Sequence, residues 1–252
     1  MYRNVDLNDI TDGSRYGNND MVRADTYGCK NCSFCCRNMC DTIFLDPFDV
    51  FNLLKYLSEN REAFRDGIKQ NAASNADASS MPVYLSSILE TYLKFDVADG
   101  VIMPRFNEKF KSALSDKNDD SDRCPFLDKE GRCSVHSARP GFCRLFPLGR
   151  LYENGSFSYI LQTKECKIEN RGKIKVKKWL GIGNLKNYEE YIVKWHYFLE
   201  DIEKKIDRGA NKELAGVLDM KILQDFYLTP YAFDEDFYAQ FYERLEEFWQ
   251  EQ

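Results

Sequence analysis

Residues 29–36 read Cys29-Lys30-Asn31-Cys32-Ser33-Phe34-Cys35-Cys36, so four of the nine cysteines fall within eight positions, spaced C-x2-C-x2-C-C. Packing gives no reason to set thiols so densely, and a disulfide framework does not pair neighbours this close. Metal ligation does explain it. Sulfurs two residues apart reach one ion or one cluster when a tight turn brings them to a common centre.

Working outward, the bulk composition narrows the class. The chain has 252 residues, which fits one large domain or a domain with an appended subdomain, and 43% of them are hydrophobic, enough for a real core. The cysteines therefore need not staple a coreless scaffold. A net charge of −6 argues against a sequence-independent nucleic-acid binder. The start, Met1-Tyr-Arg-Asn-Val-Asp, carries charge where a signal peptide needs an apolar run. No stretch approaches the roughly 18 apolar residues of a membrane span. These features imply a cytoplasmic protein with neither nucleic acid nor membrane as partner. In that reducing compartment clustered cysteines read as metal ligands or catalytic thiols, and an odd count fits a disulfide framework poorly.

Along the chain, residues 1–24 are polar without a clear period and read as an irregular N-terminal arm. Residues 46–58 predict a helix: Asp46 suits the N-cap, Pro47 the first position, and Val50, Phe51, Leu54 and Leu57 share a face. A second amphipathic stretch covers about 82–94, after a small polar loop at 71–80. Residues 115–123 form an acidic stretch that reads as a solvated loop. Two hairpins are predicted, one weakly around 124–133 and one at 150–161, where Asn154-Gly155 is a strong type I′ signal. The last third is helical. Tyr188, Tyr191, Ile192, Trp195, Leu199, Ile202 and Ile206 lie at helical spacing, with Gly209 as a stop. Further helices cover about 211–227 and run from Asp234 through Phe248. The fold class is mainly α with one or two small β-hairpins (α+β), built round an irregular cysteine-rich centre. The organisation is an arm at 1–24, a cysteine-cluster metal-binding domain at 25–170, and a helical region at 171–252 packed on it.

Four more cysteines extend the pattern: Cys124, Cys133, Cys143 and Cys166. The middle segment reads Cys133-Ser-Val-His136-Ser-Ala-Arg139-Pro140-Gly-Phe-Cys143-Arg144-Leu-Phe146-Pro147. Here the chain resembles the YkgJ-type cysteine-cluster family, named for chelating zinc or iron. The family is marked by C-x2-C-x2-C-C and a later C-x-I-Y-x2-R-P-x2-C-R-x-F-P. The first motif is complete, and the second matches at Cys133, Arg139, Pro140, Cys143, Arg144, Phe146 and Pro147. The helix start at Leu45 to Asp49 also fits, and Cys166 answers a further family cysteine. His136 stands where the family has tyrosine, and Lys167-Ile168 replaces a usual Pro-Gly. The resemblance implies metal ligation by Cys29, Cys32, Cys35, Cys36, Cys124, Cys133, Cys143 and Cys166. Flagellin lysine-N-methylases share the signature, which implies an iron–sulfur cluster used with S-adenosylmethionine and a protein or peptide lysine as substrate. Family analogy alone does not transfer that activity.

Eight thiolates suffice for two zinc sites, for one [4Fe-4S] cluster with spare ligands, or for two clusters. Side chains of the adjacent Cys35 and Cys36 are expected to diverge and so to serve more than one metal ion. The second half lacks the paired C-x2-C of structural zinc, which favours iron–sulfur, with zinc as the alternative. Three roles follow: a cluster-dependent enzyme such as an S-adenosylmethionine-dependent methyltransferase, an electron-transfer or cluster-carrying partner of another protein, or a structural zinc module for protein interaction. Arg139 and Arg144 are candidates to donate hydrogen bonds to thiolates or sulfides, or else structural ion pairs. Cys40 reads as a buried free thiol outside the pattern, His136 as an optional extra ligand, and His196 as structural. The aromatic C-terminal helices read as core. No Walker A loop, H-E-x-x-H or nucleophile elbow is present, and no catalytic residue is identified.

Overall fold

The computed structural model describes residues 6–28, 32–64, 81–98, 101–107, 123–207 and 212–251. Cys29, the loop at 71–80, the acidic stretch before Arg123 and Gly209 lie outside the described residues. The chain divides into two compact units. The first comprises Met1–Lys30, Asp99–Val101 and Phe142–Leu218; the second comprises Asn31–Ala98, Ile102–Gly141 and Asp219–Gln252.

In the first unit, residues 6–24 are not an irregular arm. They hold a short helix, α1 (Leu7–Ile10), capped by the Asp6 side chain, and isolated bridges from Thr11 to Gln162 and from Tyr16 to Tyr159. Strand β1 (Met21–Asp25) follows. It pairs antiparallel with β6 (Gly172–Lys175), matching Val22 to Ile174 and shifting register before Asp25. Only Val22 and Ala24 of β1 are buried, so the alternation is too short to stand out in the sequence. Strands β4 (Leu148–Glu153) and β5 (Ser156–Leu161) form the expected hairpin. Asn154 and Gly155 both have positive φ, 52° and 74°, as a type I′ turn requires. The core gathers Val22, Ala24, Leu145, Leu148, Tyr159, Leu161, Val176 and Leu180. The last two belong to α6 (Val176–Leu180), which stops at a left-handed Gly181. Helix α7 (Leu185–Asp207) buries Tyr188, Tyr191, Ile192, Trp195 and Ile202 as expected, with Phe198 inside in place of Leu199.

In the second unit, α3 (Pro47–Glu59) starts at a reciprocal capping box of Asp46 and Asp49 and buries Val50, Phe51, Leu53, Leu54 and Leu57. Helix α4 (Met81–Tyr92) runs directly into β2 (Leu93–Ala98), which pairs with β3 (Val101–Phe106). The sequence does not predict this sheet. Helical spacing persists through Leu93, and a proline inside β3 argues against a strand. Pro104 gives the ladder no N–H, and its carbonyl accepts the Leu45 N–H at 2.8 Å. The predicted hairpin at 124–133 is reduced to a single bridge, Leu127 to Cys133, closed by a turn with Gly131 at φ 77°.

Helix α8 (Lys212–Leu223) passes into a π-helical turn, Gln224–Leu228, and α9 (Phe237–Gln250) is capped by Asp236. Its buried face, Phe237, Phe241 and Phe248, meets Phe48 and Phe51 of α3 and Phe226 at ring-centroid distances of 5.1 to 6.0 Å. Of the aromatic C-terminal residues read as core, Tyr227, Phe237, Phe241 and Phe248 are buried, Tyr231, Tyr238 and Tyr242 are half-buried, and Trp249 is exposed. With α2 (Phe34–Asn38) and α5 (Gly141–Leu145), described below, the chain is mainly α with three two-stranded sheets. No helix among the described residues is long and apolar enough to cross a membrane.

Candidate metal centre

The first cysteine segment is built from two tight turns. Ser33 adopts a left-handed conformation, φ 48°, at the start of α2, and its Oγ accepts from Nε of Arg37 at 3.3 Å. This sharp entry separates an exposed Cys32 from the half-buried Cys35 and Cys36 on the helix. After α2 the chain tightens into a 3-10 turn, Cys40–Thr42, whose first residue is 1% exposed.

The second segment is brought to the first by the backbone. The Cys124 N–H donates to the Cys36 carbonyl at 2.7 Å, a bond between residues far apart in the chain. Cys124 is buried, and its carbonyl accepts from Leu127 N–H at 3.1 Å. Phe126 accepts from both the backbone N–H and the hydroxyl of Ser134, holding the strand that carries the half-buried Cys133. Tyr56 on α3 donates to the Ser134 carbonyl at 3.2 Å, and the fully buried Arg123 donates to the Leu127 carbonyl at 2.6 Å.

Asp49 closes the other side. Its carboxylate caps α3 and also accepts the Gly141 N–H at 2.7 Å, in a buried bond. One acid therefore fixes both the helix start and the Pro140–Gly141 corner that follows Cys133. The sequence flags Asp49 only through the family resemblance at Leu45 to Asp49.

The neighbouring Cys36 thiol first, then burial, holds the Cys35 thiol far above the ordinary thiol range. The Cys40 thiol and burial raise the Cys124 pKa, and Cys35 adds to the effect. Burial pushes the Cys133 thiol up to about 12, the Cys124 sulfur reinforcing this and Arg139 opposing it. Cys40 is buried, as expected. Each sulfur in this dry region opposes ionisation of the others, and a cation would relieve all of them together.

Among the described residues, no three His, Cys, Asp or Glu side chains already converge as a metal-holding group, and the eight described cysteines are all free thiols. The donor chemistry nonetheless fits zinc or iron, both of which take thiolate sulfur. Of the remaining sequence candidates, Cys143 lies half-buried on α5 and Cys166 half-buried after β5, both within the first unit. Arg139 places Nη1 3.1 Å from Nε2 of an exposed His136. Arg144 is half-buried on α5. His196 stacks on Tyr152 at 3.6 Å between ring centroids, a structural role.

The family whose model matches this sequence is CxxCxxCC, described as "Putative zinc- or iron-chelating domain", over residues 28–172. No curated protein and no solved structure matches the chain. The matched span takes in more than half of the sequence and all of the cysteines of both motifs. The chain belongs to the CxxCxxCC family.

Proposed function

We propose that the protein holds an iron–sulfur centre on its clustered thiolates. The observation that carries the reading is the Cys124 N–H to Cys36 carbonyl bond, which draws both cysteine segments into one buried region of the second unit. Four cysteines there, Cys35, Cys36, Cys124 and Cys133, belong to the motif, and Cys40 adds a fifth sulfur. Five sulfurs supply one four-cysteine centre, zinc or [4Fe-4S], and the absence of a second C-x2-C pair favours iron–sulfur. The proposed ligand set is Cys29, Cys32, Cys35, Cys36, Cys124, Cys133, Cys143 and Cys166. Arg139, whose charge is felt at Cys133, and Arg144 offset the anionic centre.

Iron, sulfide and zinc per chain, measured on anaerobically purified protein, test this. A brown sample with iron and sulfide in equal amounts is expected. Stoichiometric zinc in a colourless sample would overturn it and leave a zinc module for protein interaction. The proposal places the protein in the cytoplasm, where thiols stay reduced. Its partner is a redox protein or, in the enzymatic version, a protein or peptide lysine methylated from S-adenosylmethionine. Added S-adenosylmethionine should then perturb the EPR spectrum of the reduced cluster; an unchanged spectrum leaves the electron-carrier version.

A further inference from the structure

The chain is acidic as a whole, with a net charge of −6, yet one face of the first unit is basic. Strands β1 and β6 pair with Val22 and Ile174 packed into the core, which leaves Arg23, Lys173 and Lys175 on the exposed face. Helix α6 continues directly from Lys175. It buries Val176 and Leu180 and exposes Lys177 and Lys178. These three elements carry five exposed cations and one acid, Asp25, whose carboxylate already accepts the Tyr27 N–H at 2.8 Å. None of the five cations forms an ion pair with another described residue. Lysines on the longer helices differ: Lys186, Lys204 and Lys221 lie 3.8, 3.2 and 2.8 Å from a carboxylate oxygen.

Strand residues two apart are separated by about 6.6 Å, and neighbouring strands by about 4.8 Å. Both spacings fall inside the Debye length of about 8 Å at physiological salt, so the charges reinforce one another. Like charges side by side on a sheet destabilise it, so the fold gains nothing from this arrangement. Attraction of an anionic partner does account for it. We propose that the exposed face of the β1–β6 pair, together with Lys177 and Lys178, docks the acidic surface of a partner protein. A duplex nucleic acid or an anionic membrane spreads negative charge well beyond this face, where the rest of the chain, more acidic than the whole, is repelled by it. A compact acidic protein meets only the basic face. Charge pairing of this kind speeds encounter more than it tightens the complex, which suits a transient partner. The inference goes beyond the metal-binding reading and does not depend on it, since these elements hold no cysteine.

The probe is a peptide of about ten glutamates, titrated into the isotope-labelled full chain at low salt while backbone amide shifts are recorded. Shifts confined to β1, β6 and α6 are expected, and affinity should fall about ten-fold when salt rises to physiological strength. In Lys173→Glu/Lys175→Glu, with folding checked by circular dichroism, affinity should also fall about ten-fold, because attraction becomes repulsion. Lys177→Glu/Lys178→Glu lies outside the strand pairing and carries the same expectation if the first variant does not fold. Absence of shifts at these elements, shifts centred elsewhere, or unchanged affinity in the folded variants overturns the inference. Tighter binding of a short DNA duplex or of phosphatidylserine-rich vesicles at this face overturns the assignment to a protein partner.

Discussion

Asp49 satisfies two backbone donors from distant parts of the second unit, the Asp46 cap and the Gly141 N–H. Replacing it with alanine removes a helix cap and strands a buried N–H, a combined cost of about 2–4 kcal/mol. Asp49→Asn keeps one acceptor oxygen and should lose about half as much; urea unfolding of both variants measures the difference. Cys124 makes a different prediction. Its tie to Cys36 runs through backbone atoms, so Cys124→Ser should keep its far-UV circular dichroism while metal per chain falls. At this scale the sequence carries the ligand types but not their company. Nothing local in the first segment announces that Cys124, far along the chain, will donate to its Cys36 carbonyl.

Elements were legible where their cause is local. The α3 start follows from Asp46-Pro47, and the β4–β5 turn from two residues that tolerate positive φ. Gly155→Ala forces a Cβ into φ 74° and should destabilise by about 1–2 kcal/mol in thermal unfolding. The β1–β6 and β2–β3 pairs were not legible, since four- to six-residue strands with few inward side chains carry almost no periodic signal. The π-helical turn at Gln224–Leu228 is likewise held from outside. Arg244 donates to the carbonyls of Asp225, Thr229 and Pro230 at 2.7 to 2.8 Å and lies over the Tyr231 ring. Arg244→Ala should cost about 1–3 kcal/mol, and Arg244→Lys an intermediate amount, because an ammonium cannot reproduce the guanidinium fork.

Across the whole molecule, the Cys124 N–H to Cys36 carbonyl bond joins α2 to the segment at 123–134. Removal of the metal by a chelator should therefore speed amide hydrogen exchange in residues 34–42 and 123–134. Unchanged protection in both segments would contradict metal ligation there.

The bond from Cys124 to Cys36 also sets a timetable for biosynthesis. Roughly ninety residues separate the two, which at about 5–20 residues per second is roughly 5–20 seconds of translation. Throughout that interval the first cysteines have no second segment to close on. Nascent chains arrested before Cys124 should hold metal weakly, and those arrested after the following segment has emerged should hold it firmly. A cell that supplies the metal or cluster does so late in synthesis, and until then the open thiols of the growing chain depend on a reducing environment to stay unoxidised.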